Sequence, residues 1–291
     1  MTKFETAAGE DRPNADQVAY WNGENGDKWA RLQARIDALF APITAAAVAA
    51  AAPRPGEHAL DVGCGCGDTV VALAEAVGPL GRVTGVDVSA PMLAVAGRRI
   101  AEAGLTQAAV LEADAASEPF APASLDLAFS RFGVMFFDAP ADAFANVRRA
   151  LKPGGRMVFA CWRPFKANPW FHAPYKAAAP HLPEQEKADP EAPGPFSLAE
   201  PERVRHLLDL AGFGDVAVAP FDADLTFGAA GEVEDALAFL VQIGPVARAL
   251  ATGTDEQRAA ALDAIRDRLR QADGPDGIKL GAQVWLVSAR A

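Results

Sequence analysis

The chain has 291 residues, 51% hydrophobic and 22% charged, enough apolar material for a sizeable core and an ordinary composition for a folded domain. Its net charge of −11 argues against nucleic acid as a partner. No basic stripe is present to displace counterions, and the densest basic runs, 203–206 and 266–270, sit beside acids on expected helices. Cys64, Cys66 and Cys161 form neither a disulfide framework nor a paired zinc spacing, so reduced thiols and no metal are expected.

The opening residues 1–17 are polar and lack the apolar centre of a secretory signal. They are expected to be a tail, with the cytoplasm as the default compartment. Apolar residues at Trp29, Leu32, Ile36, Leu39 and Phe40 recur at helical spacing from Asp27. Pro42 is expected to end or kink that helix, with a second running to about Ala52. The alanine-rich stretch around Pro42 is too short to imply membrane insertion.

Types then alternate: strand (58–64), helix (68–77), strand (82–88), helix (91–104), strand (108–114), strand (125–132), helix (140–151), strand (156–162). Apolar strands alternating with helices indicate an α/β fold around a parallel sheet covered on both faces. After Trp162 the pattern breaks. Residues 163–198 are rich in proline and aromatics; a helix (200–211) and a strand (215–227) follow, then two helical patterns (231–272) and a last strand (278–289). The expected organisation is effectively one domain: residues 1–52 covering a site, 53–162 the binding core, and 163–291 completing the sheet. Insertions at 163–198 and 228–276 lie over it as a lid.

The stretch "LDVGCGCGD" (60–68) lies between a first strand and its helix, where open parallel sheets bind ligands. Glycines at 63, 65 and 67 admit a ligand close to the backbone, and Asp87, at the end of the next strand, suits ribose hydroxyls. A nucleoside is expected. For a dinucleotide the third glycine of the fingerprint would fall at 68, where Asp68 would repel a pyrophosphate. No phosphate-cradling G-x-x-x-x-G-K-[ST] loop occurs either. Asp61 adds negative charge nearby, which suits a cationic nucleoside without phosphates, and S-adenosylmethionine is such a molecule.

"LDVGCGCG" resembles the first motif of class I S-adenosylmethionine-dependent methyltransferases. "GVDVSAPML" (85–93), "LEADA" (111–115) and "RALKPGGRMVF" (149–159) resemble their later elements in the same order, together covering roughly 55–162. The segments 19–37 and "SRFGVMFF" (130–137) are similar to a bacterial small-molecule subset related to the ubiquinone and menaquinone C-methyltransferases. The resemblance implies a Rossmann-like sheet of seven strands with the last antiparallel. It also implies that Asp61, Gly63, Cys64 and Gly65 face the methionine part, that Asp87 holds the ribose, and that Val88 and Met92 flank the adenine. Asp114 and Ala115 would meet its amino edge, with Ser130 and Arg131 bordering the methyl group and the acceptor. Tyr20 and Trp21 are expected to close over the cofactor, since aromatic faces favour a sulfonium.

His172, Tyr175 and His181 lie in the first insertion and are candidate general bases, His172 foremost because of its aromatic run "NPWFHAPY". Phe132, Met135, Phe136 and Phe137 are expected to pack the core, with one or two lining a substrate pocket. The expected function is methyl transfer to oxygen or carbon of a small, partly apolar acceptor, leaving S-adenosylhomocysteine. Its rivals are an NAD-dependent oxidoreductase and a non-catalytic S-adenosylmethionine-binding protein.

Overall fold

The computed structural model describes residues 14–185 and 189–291. Residues 1–13 of the expected tail lie outside the described residues, and its last residues are helical. Helix α1 spans Ala15–Asn22 and α2 spans Glu24–Ala51. The two meet tightly, because a Cβ on Gly26 would lie 2.0 Å from the Trp21 carbonyl oxygen.

Helix α2 runs unbroken through Pro42, against expectation. Proline removes one N–H, and the carbonyl left without a donor belongs to Ala38. Both residues lie on the exposed face, so water can serve that carbonyl. The opposite face buries Ile36, Leu39, Phe40, Ile43 and Ala47. Length and composition would let α2 cross a membrane, its most apolar window having a mean hydropathy of 1.4, yet its apolar stripe packs along β5 (Leu151–Trp162).

The alternating core contains β1 (His58–Val62), α3 (Asp68–Val77), β2 (Arg82–Asp87), α4 (Ala90–Glu102), β3 (Ala108–Glu112), β4 (Leu125–Arg131) and α5 (Pro140–Ala150), leading into β5. Next come α6 (Pro169–Ala178), α7 (Pro201–Leu210), β6 (Gly214–Gly228), α8 (Val233–Leu240), α9 (Gly244–Ala251) and α10 (Asp255–Arg270). A two-residue β7 (Asp273–Gly274) and β8 (Gly277–Arg290) close the chain. Seven long strands lie in the order β3-β2-β1-β4-β5-β8-β6, and β7 pairs only with β8. β1 to β5 are mutually parallel, and β8 is antiparallel to both β5 and β6. Strand order reverses at β1, which pairs with β2 on one side and β4 on the other. The crevice beyond the carboxyl ends of β1 and β4 is therefore where a ligand site belongs.

Two other expectations need correction. Residues 163–198 are not wholly irregular: α6 starts with Pro169 at its first turn, where the missing N–H costs nothing, and tolerates Pro174 inside. The region 231–272 holds three helices rather than two, because Gly244 (φ 72°) and Pro245 stop one helix pattern and restart another. Helix α6 packs against both α9 and α10, which brings the two insertions together.

Candidate active site

A cavity of about 410 Å³ opens at the carboxyl ends of β1, β2 and β4. Its inner end is the loop between β1 and α3. Of the glycines there, only Gly65 stands open to the cavity: the nearest atom to a Cβ placed on it would be Met92 Sδ at 3.8 Å. At Gly63 a Cβ would lie 2.6 Å from Gly133 Cα, so that glycine serves the close approach of two backbones. Gly67 likewise is shut against Ala96. One glycine makes a cradle and two make packing.

Asp87 ends β2 on the cavity wall. Its oxygens accept from the Gly65 N–H at 2.8 Å and the Ser89 N–H at 2.9 Å, so the carboxylate fixes the loop while keeping lone pairs free. Burial raises its pKa, opposed by hydrogen bonds from the Ser89, Gly65 and Val88 backbone. Val88, Met92, Asp114 and Ala115 continue this wall.

Helix α1 closes the cavity through Asn14, Gln17, Tyr20 and Trp21. It is tied at both ends. The Asn14 side-chain amide donates to both Asp114 oxygens at 3.0 Å, and Asp138 accepts from the Asn14 backbone at 2.6 Å. At the far end, Asn22 donates to the Val88 carbonyl at 2.7 Å, and Ser89 Oγ donates to the Trp21 carbonyl at 2.7 Å. Trp21 also meets Phe136 edge-on, ring centroids 5.3 Å apart.

The outer end is an aromatic chamber. Phe132 stacks on Trp162 at 4.1 Å with an interplanar angle of 9°, and Phe40 and Trp170 pack edgewise or tilted against this pair. Phe132 holds φ at 67°, a conformation that costs an L-residue roughly 1–2 kcal/mol, so its ring is held at the site under strain. Helix α6 supplies Trp170 and Phe171, α9 supplies Gly244, Ala247 and Arg248, and α2 supplies Lys28, Gln33 and Asp37.

Of the residues expected from sequence, Tyr20, Trp21, Gly63, Cys64, Gly65, Asp87, Val88, Met92, Asp114, Ala115 and Arg131 line this one cavity, as do Phe132, Met135, Phe136 and Phe137. Others do not. Asp61 is fully buried beneath the loop and off the wall; Thr69 Oγ1 donates to its Oδ2 at 2.5 Å, while its Oδ1 has no partner among the described residues. Burial pushes its pKa up to about 7. Ser130 is also fully buried, its Oγ donating to the Val62 carbonyl at 2.7 Å and accepting from the Gly133 N–H, which pins β4 to β1.

His172 and Tyr175 pack edge-on against Phe165, away from the cavity, and His181 is exposed. The geometry of α6 explains this: Trp170, Phe171, Pro174 and Ala178 form its buried stripe, and residues 172 and 175 fall outside it. Helical spacing through "PWFHAPYKAA" would have revealed this despite the prolines.

Arg131 is a clasp as much as a lining group, donating to Asp68 at 2.7 Å and to Thr44, so that β4, α3 and α2 meet at one guanidinium. Asp68 is thus neutralised and off the cavity wall, and it does not act as the expected repeller of a pyrophosphate. Sequence reasoning missed Asp37, which lines the cavity while paired with Arg99 at 3.0 Å. Its pKa is raised by burial and by neighbouring Asp68. The thiols are inert in this setting: Cys64 Sγ packs on Gly85, and burial raises the pKa of Cys64 and lifts Cys66 to about 12.

The family profile described as "Methyltransferase domain" matches residues 59–155, the segment from β1 to early β5 that carries the glycine loop and Asp87. That match is to a methyltransferase domain and takes in a third of the chain. The chain is 37% identical over 105 residues to a demethylmenaquinone methyltransferase of Bacillus velezensis, covering 36% of this chain and 45% of that protein. It is 38% identical over 120 residues to the nocamycin O-methyltransferase of Saccharothrix syringae, covering 41% and 42% of the two chains. The chain thus spans less than half the length of these curated relatives. The fold as a whole is similar to a solved Bacillus halodurans C-125 protein assigned as a methyltransferase. The TM-score is 0.55 at 20% identity, over 85% of this chain and 97% of that one.

Proposed function

We propose that the chain is an S-adenosylmethionine-dependent methyltransferase acting on a small, partly apolar acceptor, with S-adenosylhomocysteine as the second product. The observation that carries this reading is the continuity of one cavity from Gly65 and Asp87 to the Phe132–Trp162 chamber. A cofactor place and an acceptor place sharing one continuous volume is what direct transfer between two bound molecules requires. The cofactor fits the inner end: Gly65 leaves the space a Cβ would fill, Asp87 offers lone pairs to vicinal hydroxyls, and Val88, Met92 and Ala115 are apolar enough for a base.

When bound, the cofactor supplies an electrophilic methyl group on a sulfonium centre. The remainder of the task belongs to this chain. Trp21 and Phe136 exclude water between the two halves of the cavity, and the aromatic chamber orients the acceptor, so positioning supplies most of the rate. Asp37, with its raised pKa, is the wall carboxylate suited to take a proton from an acceptor hydroxyl, a role withdrawn from His172 and Tyr175 by their placement. The acceptor atom in this reading is oxygen or carbon, in keeping with relatives named for a demethylmenaquinone and for O-methylation. Hydride transfer with NAD is not favoured, since the matched family and the named relatives are methyltransferases.

Native mass spectrometry of the protein with S-adenosylmethionine, S-adenosylhomocysteine or NAD tests the reading. Selective binding of the two adenosyl compounds, lost in a folded Asp87→Ala variant, is expected. Binding of NAD in their place would overturn it.

A further inference from the structure

Charge is distributed unevenly around the cavity. Toward the sheet the wall carries Asp37, Asp87 and Asp114, whereas the rim where α2 faces α9 carries Lys28 and Arg248. Arg31 stands one turn beyond Lys28, its side chain bonded to Gln242 at 3.5 Å. Among the described residues none of these three cations forms an ion pair. The other cavity arginine, Arg131, is paired with Asp68. In a chain where acids outnumber bases 38 to 27, three adjoining cations with no ion-paired carboxylate among the described residues need an explanation.

The three also crowd one another. Burial lowers the pKa of Lys28, Arg31 and Arg248 push it lower still, and Glu24, one turn earlier on α2, opposes this without forming an ion pair. A half-buried ammonium repelled by two guanidiniums is unfavourable unless an anion comes to it. Room for that anion exists: Gly244 and Ala247 on the cavity face of α9 carry little or no side chain, while Val246, Ala249 and Leu250 anchor the helix to the body. Below the rim lies the stacked Phe132–Trp162 floor.

We propose that the acceptor is an amphiphilic anion, with an apolar or aromatic body on the Phe132–Trp162 floor and a carboxylate or phosphate held between Lys28 and Arg248. This rests on the reading of the cavity as a joint cofactor and acceptor site. The two residues set specificity and do not take part in the chemistry. The cations select for the anionic group through charge-assisted hydrogen bonds, the aromatic floor selects for the body, and a neutral compound of the same shape gains only the second.

Calorimetric titration of the full chain, free and loaded with S-adenosylhomocysteine, decides the matter with 2-naphthoate, 2-naphthyl phosphate and neutral 2-naphthamide as probes. At least one anion is expected to bind about tenfold or more tightly than the amide, the scale of one charge-assisted hydrogen bond. That preference is expected to fall to within twofold in Lys28→Met/Arg248→Met. Arg248→Met alone, on an exposed residue, should remove part of it without disturbing the fold. Whether the naphthoate or the phosphate gains more tells which anion the rim suits. Equal binding of anion and amide, no binding of either anion, or a preference that survives both substitutions would overturn the proposal. So would a loss of S-adenosylhomocysteine affinity matching the loss of naphthoate affinity, which would assign the cations to the cofactor's own carboxylate. If S-adenosylhomocysteine fails to bind the unmodified protein, the methyltransferase reading falls instead, and the comparison on free protein still decides this one.

Discussion

Replacing Asp61 by asparagine makes protein stability less dependent on pH. Asp61 is fully buried, one oxygen accepts from Thr69, the other has no partner among the described residues, and its pKa is pushed up to about 7 by burial. In the unfolded chain the same carboxyl returns to the ordinary value of 3.8. A folded pKa above the unfolded one means that the native state holds the proton more tightly. The contribution of this group is complete below pH 3.8 and is lost as pH rises toward and through 7. At about 1.4 kcal/mol per pH unit, the loss between pH 5 and pH 8 is about 3 kcal/mol. Asparagine keeps an acceptor for Thr69 and cannot ionise. Urea unfolding at pH 5 and pH 8 should therefore show unmodified protein losing about 3 kcal/mol more than the variant. Asp37 and Asp87, whose pKa values are also raised, are present in both proteins and set the slope that remains. Equal losses in the two proteins would mean that Asp61 is not the strained carboxyl described.

The glycines of the loop should separate packing from binding. Gly63→Ala, driven into Gly133, is expected to lower stability by on the order of 3 kcal/mol in urea melts, while Gly65→Ala should lose only about 1–2 kcal/mol. The same Gly65→Ala variant should bind S-adenosylhomocysteine more than tenfold more weakly by calorimetry. Arg131→Met leaves Asp68 with the longer Arg99 contact at 3.6 Å and the Thr44 hydroxyl at 3.3 Å, and a loss of about 2 kcal/mol is expected, with Arg131→Lys recovering part of it. His172→Gln and Tyr175→Phe should leave turnover within about twofold on whichever acceptor is found, and a hundredfold loss in either would return that residue to the chemistry.

The alternation of apolar strands and helices made the sheet legible as far as Trp162, because a strand buried on both faces leaves a run that little else produces. The inner end of the site was legible for a related reason: Gly65 and Asp87 occupy adjacent strand ends of a regular unit, where local sequence specifies local geometry. The chamber was not. Its walls come from α2, α6 and α9, which meet only in three dimensions, and prolines at 42, 169, 174 and 245 obscured where these helices start and run. Asp61 and Ser130 show the converse limit. A strand's period of two places a polar side chain on a face but does not say whether that face meets a ligand or the underside of a helix.

Helix α1 has no buried residue, and it is held over the cavity mainly by the hydrogen bonds of Asn14, Asn22 and Ser89 and by the Trp21 ring. A segment held this way belongs to the part of a molecule that opens most readily. Any ligand reaching Asp87 by this side waits for the helix to lift, so the observed rate of loading should rise with ligand concentration and then level off at the opening frequency of α1. Asn14→Ala should raise that plateau and the initial slope together, because both scale with the opening rate of the helix. The residues that lock the cavity would then act as its clock.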